Sequence, residues 1–408
     1  MKQIRPYPKA NVTGKAERSV LSGHPWIYNT EVTAAEGCAD GELTDVFGPG
    51  DAFLGTGFYN SRSKIRIRLI SRNANDTFDE AFYERRLRYA WNYRKTVLGG
   101  DTECCRVIFG EADSFPGFTV DRFGGILVAQ TLSLGIEKIK PMLFRLLCKI
   151  LAEDGVRIHG VYERNDVRIR ELEGMRQGKG FFPLAGVPFP DSTATVITEN
   201  GIRYFVDYEN GQKTGFFLDQ KYNRRAVAKI SRGLRVLDCF TDTGSFALNA
   251  AAAGAAHVHA VDISEDAVTM ARRNAELNGL GEAISFQAAN VFDLLPSLAE
   301  SGEKAYDLVI LDPPAFTKSR STVKNAARGY KEINYRAMKL LPRGGYLATC
   351  SCSHFMTDEL FRETLRSAAC DARVSLRQIE ARQQAPDHPI LWNVPETSYL
   401  KFYLFQVV

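Results

Sequence analysis

Between Arg235 and Ser353 the chain alternates, almost without a break, between short apolar runs and stretches of helical period. RVLDCF is followed by SFALNAAAAGA, AHVHAVDI by SEDAVTMARRNAELNG, and ISFQAAN and YDLVILDPP precede a long helix from about Ala326 to Leu341 and then GGYLATCSCS. Such alternation predicts a parallel sheet wrapped by helices, and ligands of such sheets bind outside the carboxyl ends of the strands. The candidate residues in this half of the chain all fall at such ends.

The segments before it read differently. Residues 1–72 are rich in glycine, turns and short apolar stretches, as in GHPWIYNTEV and DVFGPGDAFLGTGFYN, and predict a small all-β unit. Its last strand alternates Arg62, Lys64, Arg66 and Arg68 with Ile65, Ile67 and Leu69, and a side-chain period of two puts the four cations on one face. That face either carries solvated charge against aggregation or tracks phosphates. From Asp76 the spacing changes to three and four in FDEAFYERRLRYAWNYRKTVL, which predicts an amphipathic helix; strands with turns at Pro116-Gly117 and Gly124-Gly125, and a helix from Ile136 to Leu151, complete a mixed α+β segment over 73–188. The loose stretch PLAGVPFPDSTA leads into the third segment, 189–408, which opens with a hairpin turned at Asn200-Gly201.

Composition narrows the class. The 408 residues are 45% hydrophobic and 25% charged, with a net charge of +4, so electrostatics alone does not announce a nucleic-acid partner. No apolar run is long enough for a membrane span, and MKQIRPYPKANVTGK lacks the apolar block of a signal peptide, so a soluble cytoplasmic protein without membrane attachment is expected. Eight cysteines are too sparse for a disulfide scaffold. Neither Cys104-Cys105 nor the Cys350/Cys352 pair has ligand partners at the spacing zinc prefers, so no metal is expected.

Four strand ends carry chemistry. Asp238 closes the first strand, and the turn Cys239-Phe240-Thr241-Asp242-Thr243-Gly244-Ser245 enters an alanine-rich helix whose N-terminus offers free N–H groups to an anion. The spacing is not GxGxxG, which favours a carboxylate such as the methionine end of S-adenosylmethionine over a phosphate. Asp262 ends the next strand, where a carboxylate takes both hydroxyls of a ribose, unless it merely precedes the N-cap Ser264. Asn290 either accepts from an adenine amino group or forms a turn. Asp312-Pro313-Pro314-Ala315-Phe316 stiffens the chain and leaves carbonyls and a carboxylate as acceptors, unless it only blocks a helix.

Together KTGFFLDQKYNRR, VLDCFTDTGSFAL, ILDPPAF, RGYKEIN, TCSCSHFMT and QAPDHPI closely resemble the bacterial ribosomal RNA large-subunit methyltransferases that carry an N-terminal PUA domain and make 5-methylcytosine. The resemblance extends to GHPWIY and SRSKIRIRLI and to GEADSFPGFTVDRFGG, and so spans nearly the whole chain. It implies a PUA domain for RNA binding, a small central α+β domain and a Rossmann-like class I methyltransferase domain, acting on large-subunit ribosomal RNA with S-adenosylmethionine; a homodimer stays open. It implies a cofactor site drawn from Gln220, Asp238, Phe240, Thr243, Gly244, Asp262, Ile263, Asn290, Val291 and Asp312, and RNA contacts from Trp26, Arg62, Lys64, Arg66 and Arg68. Trp26 would stack on a base or fill the β core. Where members of the family carry an aspartate before VF, this chain has Asn290, whose amide oxygen still accepts. The family shares the second cysteine of the final motif, so Cys352 is the expected nucleophile and Cys350 a packing thiol.

Carbon 5 of cytosine is a poor nucleophile, and addition of a thiolate to carbon 6 turns it into an enamine carbon. Asp312 is the expected partner of ring N3. The base that removes the carbon 5 proton is not identified, with Asp387-His388 and His354 as candidates, and Lys318 and Arg320 as cations that would favour the thiolate. Two other readings remain: methylation of a base amino group, which uses the DPP segment without a cysteine, and a noncatalytic RNA-binding assembly factor.

Overall fold

Seven strands form the sheet that the alternation predicts: β1 (Arg235–Cys239), β2 (His257–Asp262), β3 (Ile284–Ala288), β4 (Leu308–Leu311), β5 (Tyr346–Ser351), β6 (Leu376–Arg382) and β7 (Lys401–Val407). This computed structural model describes residues 5–300, 305–317 and 319–408. The order across the sheet is β3-β2-β1-β4-β5-β7-β6. β3 to β5 pair in parallel through β2, β1 and β4, while β7 runs antiparallel between β5 and β6. The central strands are buried on both faces and read as continuous apolar runs for that reason, LVIL in β4 being buried throughout. The connecting helices are Ser245–Ala252, Glu265–Leu277, Val291–Glu300, Val323–Leu340 and Asp358–Ala372. One core joins Leu237, Val309 and Leu347 of the sheet to Tyr330, Ile333 and Ala337 of the fourth helix and Phe361 and Leu365 of the fifth.

By its contacts the chain divides into two units, one of residues 1–195, 206–218 and 386–397, the other of residues 196–205, 219–385 and 398–408 that holds this sheet. The hairpin of Ala194–Glu199 and Ile202–Asp207 turns at Asn200 and Gly201, whose φ values of 55° and 81° suit a tight primed turn.

The first unit contains two sheets. Six strands within residues 9–71 surround a core of Ala10, Val12, Ile27, Val46, Leu54, Ile67 and Leu69. The segment expected to be all β also holds a helix, Gly14–Leu21, because Thr13 caps it and its Ala16 and Val20 join that core. Five strands between Cys104 and Phe182 make the second sheet, with the helices Glu80–Leu98 and Leu134–Glu153. Glu173 ties the two sheets together: it accepts from Ser63, from Asn60 at 3.2 Å and from Arg68 at 2.9 Å.

Candidate active site

In the sheet unit, β1 ends in a backbone that few side chains tolerate. Phe240, Asp242 and Gly244 have φ of 65°, 49° and 83°, so the chain coils through left-handed positions before the helix begins at Ser245. A Cβ at Gly244 would lie 3.0 Å from that of Ala271, so a side chain there would push on the next helix. The coil is tied on both sides, with Thr241 N–H donating to Val261 O at 2.9 Å and Asp242 N–H to Asp262 Oδ2 at 3.0 Å.

Asp238 is fully buried beneath this turn. Its Oδ2 accepts from Thr241 Oγ1 at 2.7 Å and Ala247 N–H at 2.9 Å, while Oδ1 has no hydrogen-bond partner. Burial, opposed by these two donors, pushes its carboxyl up to about 7. Asp262 is half-buried, and its other oxygen accepts from Ser264 N–H at 3.0 Å. Ser264 does cap the next helix, through Ala267 N–H at 3.2 Å, but Asp262 itself holds the turn and keeps lone pairs for further donors.

Ile263 follows at 72% exposure, unusual for a large apolar side chain at a strand end. Beyond β3, Asn290 Oδ1 accepts from Phe292 N–H at 3.1 Å and its Nδ2 donates to Asp293 at 2.9 Å, so it serves as a turn former. Val291 sends its side chain into the core, 2% exposed, and only its backbone is left for a ligand contact. Its neighbour Phe292 is the exposed apolar residue here, and sequence reasoning passed over it.

The β4 end carries the second perturbed carboxyl. Asp312 Oδ1 accepts from Gln220 Nε2 at 2.9 Å, and Gln220 Oε1 accepts from Asn223 at 2.6 Å. Removal from water, reinforced by the neighbouring Asp219 charge and opposed by Arg224, Cys350 and Gln220, pushes Asp312 up to about 7. β5 ends at Ser351, between the two cysteines. Cys350 is fully buried, and burial, reinforced by the Asp312 charge, drives its thiol well up. Cys352, past the strand and half-buried, lies with Sγ 3.8 Å from Pro313 O. The structure thus brings Cys352 beside the Asp312-Pro313 turn.

The remaining candidates scatter. His354 and Arg320 are exposed, and Lys318 lies outside the described residues. Asp387 and His388 are buried in the first unit, where Asp387 accepts from Arg106 N–H at 2.8 Å and meets His388 Nδ1 at 2.9 Å. Both side chains are committed to that internal network, which holds this part of the first unit together.

The four cations of 62–68 do not share a face. The strand begins only at Ile65, so Arg62 and Lys64 precede it and are exposed. Arg66 donates to Asn60 O at 3.0 Å and lies over the Tyr59 ring. Arg68 is 8% exposed, paired with Glu173 and 3.6 Å from Glu111. Trp26 is locked beside it, Nε1 donating to Glu111 at 2.9 Å with His24 edge-on to the ring. These acids lie far along the chain, which hid them from a reading of the strand alone. A different aromatic of this unit, Trp392, is 97% exposed.

The donor and acceptor set at the sheet edge suits S-adenosylmethionine. An unpartnered buried carboxylate oxygen on Asp238 answers a cation, Asp262 can accept from a diol, and Ile263 and Phe292 offer apolar surface to a base.

The family described as S-adenosylmethionine-dependent methyltransferase matches residues 183–406, and that described as PUA-like domain matches residues 11–72. The chain is 38% identical over 405 residues to a ribosomal RNA large subunit methyltransferase I of Klebsiella pneumoniae, covering 98% of this chain and 99% of that one. It is 39% identical to the protein of the same name from Cronobacter sakazakii, covering 96% and 97%. In fold it is similar to a SAM-dependent methyltransferase from Streptococcus mutans, with a TM-score of 0.80 at 21% identity over 98% of this chain and 100% of that one. A methyltransferase structure complexed with SAH gives a TM-score of 0.82 at 21% identity over the same shares.

Proposed function

The chain belongs to the S-adenosylmethionine-dependent methyltransferase family that includes the ribosomal RNA large subunit methyltransferase I proteins, and from that membership we propose that it forms 5-methylcytosine in 23S ribosomal RNA, in the cytoplasm, through a covalent adduct of Cys352. The observation that carries the adduct is the placement of Cys352 Sγ 3.8 Å from Pro313 O, beside the raised carboxyl of Asp312.

S-adenosylmethionine, when bound, supplies the methyl group. Gly244 and the coiled turn leave backbone N–H groups for its carboxylate end, Asp238 faces its cationic part, Asp262 takes the ribose hydroxyls, and Gln220 orients Asp312. Cys352 thiolate adds to carbon 6 of cytosine, and the electron pair moves to carbon 5, which takes the methyl group. Asp312, protonated near neutrality, donates to ring N3 and stabilises the charge that addition creates there. Loss of the carbon 5 proton then restores the ring and expels the thiolate. Arg62 and Lys64 hold RNA phosphates, and Trp392 is a platform for a base; both contacts are sequence-independent. The division into segments 1–72, 73–188 and 189–408 belongs to the same reading, supported by the sheets among the described residues, of which none crosses these bounds: one of six strands in the first segment, one of five in the second, and a two-stranded hairpin and the seven-stranded sheet in the third.

Methyl transfer to ribosomal RNA by Cys352→Ala, with S-adenosylmethionine binding measured in parallel, tests the proposal. Transfer is expected to vanish with binding near that of the unaltered protein, and Cys350→Ala is expected to keep most activity. A fully active Cys352→Ala would favour amino-group methylation. Cofactor binding without transfer by any form of the protein would favour an assembly factor.

A further inference from the structure

One buried cation near the nucleophile is not used above. Lys401 opens β7, alone among the apolar residues of KFYLF, and pairs across the sheet with Ser351, the last residue of β5. It is only 8% exposed, and its Nζ donates to Ser353 O at 2.7 Å and to Tyr399 O at 2.8 Å. The first of these carbonyls belongs to the residue immediately after Cys352. Two of the three ammonium protons are spent on carbonyls, which leaves one for a charged neighbour.

A buried ammonium bonded only to neutral carbonyls is costly, and an anion close by is what makes it tolerable. Two groups can supply one, the Cys352 thiolate and the Asp358 carboxylate, and both favour the charged lysine. Asp358 begins the helix Asp358–Ala372, where it accepts from Tyr403 and lies 4.0 Å from Arg362, so its charge is already shared with two donors. From the helix Val323–Leu340, Tyr330 OH reaches Ser353 Oγ at 3.1 Å and is neutral, pushed up to about 12 mainly by burial. Cys352 is therefore the anion with the stronger need of Lys401.

We propose that Lys401 is the internal cation that holds Cys352 as a thiolate, a positioning residue for the nucleophile. The interaction is symmetrical: what the thiolate does for the ammonium, the ammonium does for the thiolate. Burial, opposed by Cys352 and Asp358, brings Lys401 down to about 8, so its amine is within reach of taking the thiol proton near neutral pH. In that transfer the S–H bond breaks, the electron pair stays on sulfur and the proton joins Nζ, with no change in total charge.

The proposal rests on Cys352 being the nucleophile, and its test needs no RNA. Alkylation of the full-length protein by iodoacetamide is followed between about pH 5.5 and 9.5 by mass spectrometry of the Cys352 peptide, with the peptide of exposed Cys370 followed alongside as an internal reference. Cys352 is expected to become reactive at lower pH than Cys370. Lys401→Met is expected to move its midpoint up by about one unit or more and to slow alkylation at pH 7 about tenfold, while Lys401→Arg keeps the low midpoint. Superimposable profiles for Lys401→Met and the unaltered protein would overturn the proposal. So would a Cys352 midpoint equal to that of Cys370 in the unaltered protein, which decides the matter even if the methionine variant does not fold. An active Cys352→Ala would remove the nucleophile reading itself, whereas an inactive one with a failed alkylation profile would remove only the lysine.

Discussion

Gln220 Nε2 donates to Asp312 Oδ1 at 2.9 Å and so fixes the carboxyl that stands next to Cys352. The bond favours the charged form of Asp312, against burial and the Asp219 charge. Gln220→Leu removes it, and Asp312 then keeps its proton to higher pH. The alkaline limb of single-turnover methyl transfer is expected to move up by about half a unit to one unit, with a lower plateau because the carboxyl is no longer oriented. An unmoved limb would mean that Asp312 does not set it.

Asp238 and Asp312 both make folding sensitive to pH. Each is pushed up to about 7 from the ordinary aspartate value of 3.8, chiefly by burial, so the folded chain binds more protons than the unfolded one between about pH 4 and 7. Their contribution to stability is present at low pH and is lost as pH rises through that window. The slope is at most about 1.4 kcal/mol per pH unit for each group. Thermal melts of the cofactor-free protein at pH 5.5 and 8 are expected to show a smaller difference for Asp238→Asn than for the unaltered chain.

The strand ends were legible because the five strands that carry them, β1 to β5, are parallel and their central members buried. Asp238, Asp262 and Asp312 interrupt apolar runs, and a charge at the end of such a run can only be there for the edge of the sheet. Gly244 was legible because a turn into a helix at that point needs φ of 83°. The cationic strand misled because a period of two says which residues share a side and nothing about what faces them. Glu173, more than a hundred residues on, decides that Arg68 is a structural ion pair. Lys401 left a signal, a lone lysine in an apolar strand, that has meaning only once β7 is known to lie beside β5.

Arg68 and the pair Arg62 and Lys64 should therefore separate in experiment. Arg68→Met leaves the Glu173 charge buried without its partner and is expected to cost about 3–5 kcal/mol in chemical denaturation. Arg62→Ala and Lys64→Ala should leave stability within about 0.5 kcal/mol. Each of those two is expected to weaken RNA binding and to reduce the slope of log affinity against log salt by about one. Trp392→Ala, losing a stacking platform, is expected to cost about 1–3 kcal/mol of RNA affinity with little change in that slope.

Gly244→Ala places a Cβ 3.0 Å from that of Ala271 and requires a non-glycine residue at positive φ. A loss of about 1–3 kcal/mol in stability is expected, together with a cofactor dissociation constant raised at least about tenfold as the turn is displaced. Isothermal titration with S-adenosylmethionine reads the second effect, and unaltered affinity would mean that the turn does not contact it.

Among the described residues β6 pairs with β7 alone and forms the rim of the sheet. Its outer backbone therefore has no strand partner among the described residues, and that rim is a row of donors and acceptors that another chain could extend. Arg377, Glu380 and Arg382 along that rim make such an extension costly, so the charges of the last strand in the order are what ends the sheet there.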